Sequence, residues 1–204
     1  MPLVSEGVYI DDGASKSFEF ESAYYLNFQI QSALASLHHL TNYADSFEWE
    51  NRCQYYHFYT DHLLYSLGQI TNRFISVENG KALYHERKEC NRNNYRFTER
   101  DYPLLSSKRA RNVIEHIDEY NADIIKEKHG VGGFNLIDAN TEESLKKLLR
   151  EMRDLHPYTL DLLTNELYIR YKKEDLTINL EELKKELLSL LSRVRSFLEF
   201  VSMI

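Results

Sequence analysis

Between Leu180 and Val201 the chain reads LEELKKELLSLLSRVRSFLEFV, and Leu180, Leu183, Leu187, Leu190, Leu191, Val194, Leu198 and Val201 fall on one face of a helix. An apolar stripe of this length must be covered. It either docks on the remainder of the chain or becomes an oligomer seam, and docking is the commoner outcome. Asn179, just before the stripe, marks the helix start. Whatever else the chain forms has to receive this long helix.

The upstream sequence offers partners for it. From Ser17, FEFESAYYLNFQIQSALASLHHLTNYA places Tyr24, Phe28, Gln31 and Ala35, with Leu34 and Leu37 nearby, at helical spacing, which predicts a first long helix. Residues 1–16 lack such a pattern and read as a tail or a short leading strand. Ser46, followed by Phe47, Glu48 and Trp49, gives a capping-box-like start to a second helix whose apolar face runs through Trp49, Cys53, Tyr56, Leu63, Leu67, Ile70 and Phe74. Glu78, Asn79 and Gly80 break the pattern. Lys81–Arg92 resumes helix, and the polar stretch Asn91–Asn94 makes this region a loop with helical ends. Pro103 on one side and Gly130, Gly132 and Gly133 on the other bracket a helix from Leu104 to Lys128. The glycines suggest a turn; no GK[ST] follows them, which argues against a phosphate cradle.

After Gly133 the period changes. FNLID, TLDLLT and ELYIRY are short, rich in β-branched and aromatic residues, and separated by His156-Pro157 and Thr164-Asn165. They predict a small antiparallel hairpin or three-stranded sheet within residues 134–178. Thr141–Arg153 stays ambiguous: Asn140 or Thr141 could cap a helix, while LLREMRDL could extend as a strand. The fold expected is mainly α: an antiparallel helical bundle with a small C-terminal antiparallel β element and a final long helix. It is read as one domain over 1–204, with 134–178 as a β-containing insertion or appendage, and 204 residues can bury a substantial core.

Several function classes lose ground on composition. No apolar run approaches membrane-helix length, and the opening MPLVSEGVYIDDG lacks the layout of a signal peptide, so a cytoplasmic location without membrane contact is expected. Cys53 and Cys90 form no CxxC, arguing against a disulfide framework or a structural zinc site. His38, His39, His57 and His62 lie on the first two helices, which raises a metal-binding bundle. No Glu-x-x-His pair and no HEXXH occurs, however, so neither metal nor other cofactor is expected, and these histidines read as helix-face or packing residues.

Charge is unevenly spread. The chain carries a net −7, but His85–Arg111 holds eight basic residues (Arg87, Lys88, Arg92, Arg96, Arg100, Lys108, Arg109, Arg111) against four acidic ones, leaving −11 for the remainder. Such a segment can hold phosphates, with Tyr84, Tyr95 and Tyr102 interleaved as base-stacking surfaces. It can equally be a solvated helix end whose arginines pair with neighbouring glutamates.

This basic segment runs into KRARNVIEHIDEY, Lys108–Tyr120. At about 100° per residue, Ala110, Val113, Ile114, Ile117, Asn121 and Ile124 share one face. Arg109, Asn112, His116 and Tyr120 line one flank of it, and Arg111 lies on the other. Arg111, Asn112 and His116, spaced R-N-V-I-E-H, resemble the R-[N/D/H]-x(n)-H signature of the HEPN superfamily, and the resemblance covers roughly residues 17–128. It implies a metal-independent ribonuclease acting on RNA, of the toxin or phage-defence kind, that dimerises so that two motif helices meet and that has an antitoxin or other protein partner; other members are inactive binding modules.

The residues support a chemistry. Metal-free RNA cleavage needs a proton acceptor for the ribose 2′-OH, a donor for the leaving oxygen and a cation for the charged phosphorane. His116 is the candidate base or acid, Arg111 the phosphate clamp, and Asn112 the group orienting either, with Arg109, Tyr120, Lys108, Arg100 and Arg96 as substrate-binding residues. One histidine per motif favours a homodimer that combines two. The competing reading is a non-catalytic helical interaction module for a protein partner, nucleotide or RNA, which suits the acidic remainder of the chain. In it His116 is a core-edge histidine and Arg111 a surface partner of Glu115.

Overall fold

The computed structural model of the chain describes residues 12–42, 49–75, 82–115, 134–171 and 174–203. Of these, 66% are helical, as the period-3.6 patterns require. Asp12–Thr41 forms α1 and Trp49–Thr71 forms α2. Tyr25 Oη donates to Gln69 Oε1 at 3.3 Å, Ser32 Oγ lies 3.4 Å from His62 Nδ1, and His39 Nδ1 lies 2.7 Å from Tyr55 Oη. Each pair steps two turns forward on α1 and two turns back on α2, so the helices form an antiparallel hairpin. Helix α1 begins five residues earlier than its apolar period suggests, at Asp12 rather than Ser17, so part of the expected tail is helical. The Ser46 cap, the Glu78–Gly80 break and the glycine turn lie outside the described residues.

Ala82–Asn94 forms α3, which runs through the polar stretch expected as loop. Tertiary hydrogen bonds explain the difference: Asn91 Nδ2 donates to the Arg73 carbonyl at 3.0 Å and Arg92 Nε to the Phe74 carbonyl at 2.9 Å, closing the turn after α2. The helix ends at Asn94, and Arg96 closes it. Its backbone turns left-handed (φ 49°), while Arg96 N–H reaches the Asn93 carbonyl and Phe97 N–H the Arg92 carbonyl. This is the paired-bond helix end that glycine usually occupies.

Lys108–Glu115 forms α4. Ser107 Oγ accepts the Ala110 N–H at 3.1 Å, so the cap places the helix start four residues later than the expected Leu104. Phe134–Ile137 (β1), Tyr158–Asp161 (β2), Glu166–Tyr171 (β3) and Glu174–Asn179 (β4) form one sheet in that order. Strands β2 to β4 pair antiparallel, as read from the sequence, but β1 lies parallel to β2 and β4 is an additional strand. The ambiguous stretch supplies the reason. Glu143–Glu151 is a helix, α5, and a helix is the usual crossover between parallel neighbours.

Strand β4 passes straight into Leu180–Ser202, α6, whose N-cap Asn179 accepts the N–H groups of Glu181 and Glu182. Leu183, Leu187, Leu190 and Val194 are buried in one apolar cluster with Leu26, Ile30, Ala33 and Leu37 of α1 and with Leu160, Leu167 and Ile178 of the sheet. The final stripe therefore docks. The sheet meets α2 through β1: His57 stacks on Phe134 with ring centroids 5.3 Å apart, and Arg52 reaches Asp138, which follows β1, at 3.1 Å. No described helix is long and apolar enough to cross a membrane.

Beneath the bundle lies an aromatic stack. Phe97 is parallel to Phe74 at 4.0 Å and to Tyr102 at 4.7 Å, and Tyr95 meets Phe197 edge-on at 5.2 Å. Tyr95 is 1% exposed and Tyr102 0%, so neither offers a ring to a nucleic-acid base, contrary to the sequence expectation; the Tyr84 side chain lies outside the described set. Burial pushes the Tyr95 phenol well up, and its hydroxyl has no hydrogen-bond partner among the described residues. Tyr95→Phe is accordingly expected to raise stability by about 1 kcal/mol, read as a higher midpoint in chemical denaturation.

Candidate functional site

Helix α4 carries Arg111 and Asn112 of the motif, and its orientation is set by packing. Ala110, Val113 and Ile114 are buried against α2, matching the apolar face read from the sequence. Gly68 allows the approach: a Cβ there would sit 3.3 Å from Ile114 Cγ2. With that face fixed, Lys108, Arg109 and Asn112 project outward and are exposed. The Arg111 backbone is part of α4, while its side chain, together with His116 and Tyr120, lies outside the described residues.

The exposed cations are not equally available. The Arg109 guanidinium donates to the Asp175 carbonyl of β4, tying α4 to the sheet. On α3, the Lys88 ammonium donates to the Ile75 carbonyl, and Arg92 is held as described. Part of the positive excess between 85 and 111 thus braces the protein's own backbone. Lys108 and Asn112 stand beside Arg109 on the outward face of α4.

Arg96 and Arg100 are also exposed but belong elsewhere. Arg193 of α6 donates to the Arg96 carbonyl and pairs with Asp101 at 3.0 Å, which holds the Asp101 carboxyl below the usual range. The next residues run back along α6. Tyr102 Oη lies 3.2 Å from Ser189 Oγ, and the Leu104 and Leu105 N–H groups donate to the two oxygens of Glu186, each at 3.0 Å. Arg193 and Glu186 are two turns apart, so Arg96 sits about 10 Å along α6 from the point where the chain turns into α4. The structure brings Lys108, Arg109 and Asn112 together and leaves Arg96 and Arg100 as a separate pair. Arg96→Gly tests whether that pair matters: glycine relieves the left-handed backbone, so stability should hold or rise by about 0.5–1 kcal/mol. A loss of RNA affinity without unfolding would then be due to the missing cation.

Glu186 is the residue that sequence reading missed. It interrupts the α6 stripe between Leu183 and Leu187, is 7% exposed, and holds the segment entering α4 by both oxygens. Burial raises its pKa despite the two backbone N–H groups that favour the carboxylate. A carboxylate inside a leucine stripe was the available signal, because such a group needs buried donors.

The histidines of α1 and α2 make ring and hydrogen-bond contacts. His39 stacks on Tyr59 at 4.1 Å, and His57 Nε2 lies 3.4 Å from Asp61. Comparison of the chain with known protein families, with curated proteins and with solved structures finds no match.

Proposed function

We propose that the chain is a metal-independent endoribonuclease of HEPN type, working as a homodimer, with Arg111, Asn112 and His116 as its catalytic set. The observation that carries this reading is the rotation of α4. Its apolar face is buried on α2, and the residue of the motif whose side chain is described, Asn112, is exposed beside Lys108 and Arg109. An exposed Asn112 flanked by two exposed cations can meet a phosphodiester. The outward face of α2 carries Phe58 and Tyr65, 60% and 59% exposed, an apolar surface that a second copy would cover. In that dimer two histidines share the acid and base roles, and a toxin or phage-defence role with an antitoxin partner follows from the same reading.

The bracing of Arg109, Lys88 and Arg92 on backbone carbonyls supports a second reading, a non-catalytic helical interaction module. Purified wild type and His116→Ala incubated with total RNA in excess chelator separate the two. The nuclease reading expects cleavage by wild type and a loss of roughly 10²- to 10⁴-fold in His116→Ala at unchanged melting temperature. Mixing His116→Ala with Arg111→Ala protomers should restore part of the activity. A wild type that leaves RNA intact, with a monomer in light scattering, gives the module reading.

A further inference from the structure

A cleft of about 300 Å³ lies between α1, the end of α2 and α3. Gln69 lines it, and the preceding Gly68 faces α4; successive helix positions point about 100° apart, so the cleft and the motif helix occupy different flanks of α2. Among the described residues, three cations border the cleft, Arg73, Arg87 and Lys88, against one carboxylate, Glu19. On a chain of net charge −7 this is a marked local reversal of sign.

The cationic groups are also positioned. The Arg73 guanidinium donates to Ser22 Oγ at 3.1 Å and lies over the Tyr25 ring, 5.1 Å from its centroid. A planar guanidinium held on an aromatic face keeps a fixed edge for an oxyanion. Asn91, also in the lining, donates to the Arg73 carbonyl and fixes α3 against the end of α2. Lys88 is anchored on the Ile75 carbonyl. The cleft is thereby assembled from three elements whose mutual placement does not depend on a ligand.

We propose that this cleft binds a phosphate monoester of about nucleotide size. Among the described lining residues the cations outnumber the carboxylates, with Arg73 and Arg87 the guanidinium groups bordering the space and Lys88 adding its charge from its anchor on Ile75, so the cleft opposes a phosphate monoester dianion in sign. The volume sits at the lower end of the range small ligands occupy, roughly 300–1,000 Å³, so it accommodates more than a bare phosphate. Glu19 is half-buried, and desolvation lifts its pKa in spite of Arg87. Its protonated form would turn the one opposing charge into a donor toward a phosphate oxygen. The proposal is independent of the nuclease reading, since no residue is shared.

Titration calorimetry at low salt with adenosine monophosphate, inorganic phosphate and adenosine tests it on the full chain. The monophosphate should bind saturably, with a Kd of about 1 mM or tighter, phosphate more weakly, and adenosine not at all. Arg87→Gln, on an exposed helix position, should weaken monophosphate binding about tenfold. Glu19→Gln should tighten it several-fold, a gain that structural damage cannot mimic. Absence of saturable monophosphate binding, equal binding of adenosine, or a Glu19→Gln protein with unchanged affinity overturns the proposal.

Discussion

Glu186→Ala is expected to lower stability by about 2–6 kcal/mol, because it strips the acceptors from one buried and one half-buried N–H group at once and each orphaned donor costs roughly 1–3 kcal/mol. The donors are those of Leu104 and Leu105, both bound at 3.0 Å. Glu186→Gln separates acceptor loss from charge loss: the amide keeps one oxygen, so about half the penalty should remain. Both are read from denaturant midpoints at constant slope. The pH dependence has a defined sign. Burial raises the folded-state pKa of Glu186 above the usual glutamate value of 4.5, so its contribution is fully present below about 4.5 and is lost as pH rises through the folded value. The stability of wild type relative to Glu186→Gln should therefore fall as pH is raised across that window. A wild-type advantage that grows with pH would show that the carboxylate is favoured in the fold. On the proposed nuclease reading, RNA cleavage should decline in Glu186→Ala before global unfolding, because the affected segment leads directly into α4.

Asp138→Ala is the second large effect. The Arg52–Asp138 pair, 3.1 Å apart with side chains 12% and 10% exposed, links α2 to the end of β1, and removing one member of a buried pair costs about 3–5 kcal/mol. Asp138 Oδ1 also accepts the Asn140 N–H and the Thr141 hydroxyl, each at 3.0 Å. Asp138→Asn retains an oxygen for that turn and removes only the charge, so it should be milder. The double variant Arg52→Met with Asp138→Leu should recover much of the loss from Asp138→Ala alone. If the double variant is as unstable as the sum of the two single changes, the turn and not the ion pair dominates.

What could be read in advance follows physical lines. The α6 stripe and the Ala110, Val113, Ile114 face were legible because each is a local period imposed by one helix on one core. The parallel β1–β2 pairing was not. All four residues of β2 are buried, so the strand shows no in–out alternation, and its partner is chosen by the α5 crossover and not by its own residues. Tyr95 and Tyr102 were misjudged since a tyrosine among arginines looks the same in sequence whether its ring faces a base or Phe97. Arg92 and Asn91 extended α3 through contacts eighteen residues away, beyond any window of periodicity. At the motif, the rotation of α4 was foreseen, while the dependence of its approach on Glu186 needed the packing of α6.

That packing has a consequence in time. Helix α6 is the last described element to leave the ribosome, yet α1, the first, is buried against it, and the lead-in to α4 is pinned by Glu186 and Arg193 near its middle. Contacts of such sequence separation form late in folding. Helix α4 thus has no finished foundation until α6 has been synthesised, which on the proposed nuclease reading would keep a nascent chain inert toward RNA around the ribosome. A chain ending at Asn179 should show no cooperative unfolding transition, whereas one that unfolds cooperatively would mean that the hairpin and α4 are self-sufficient.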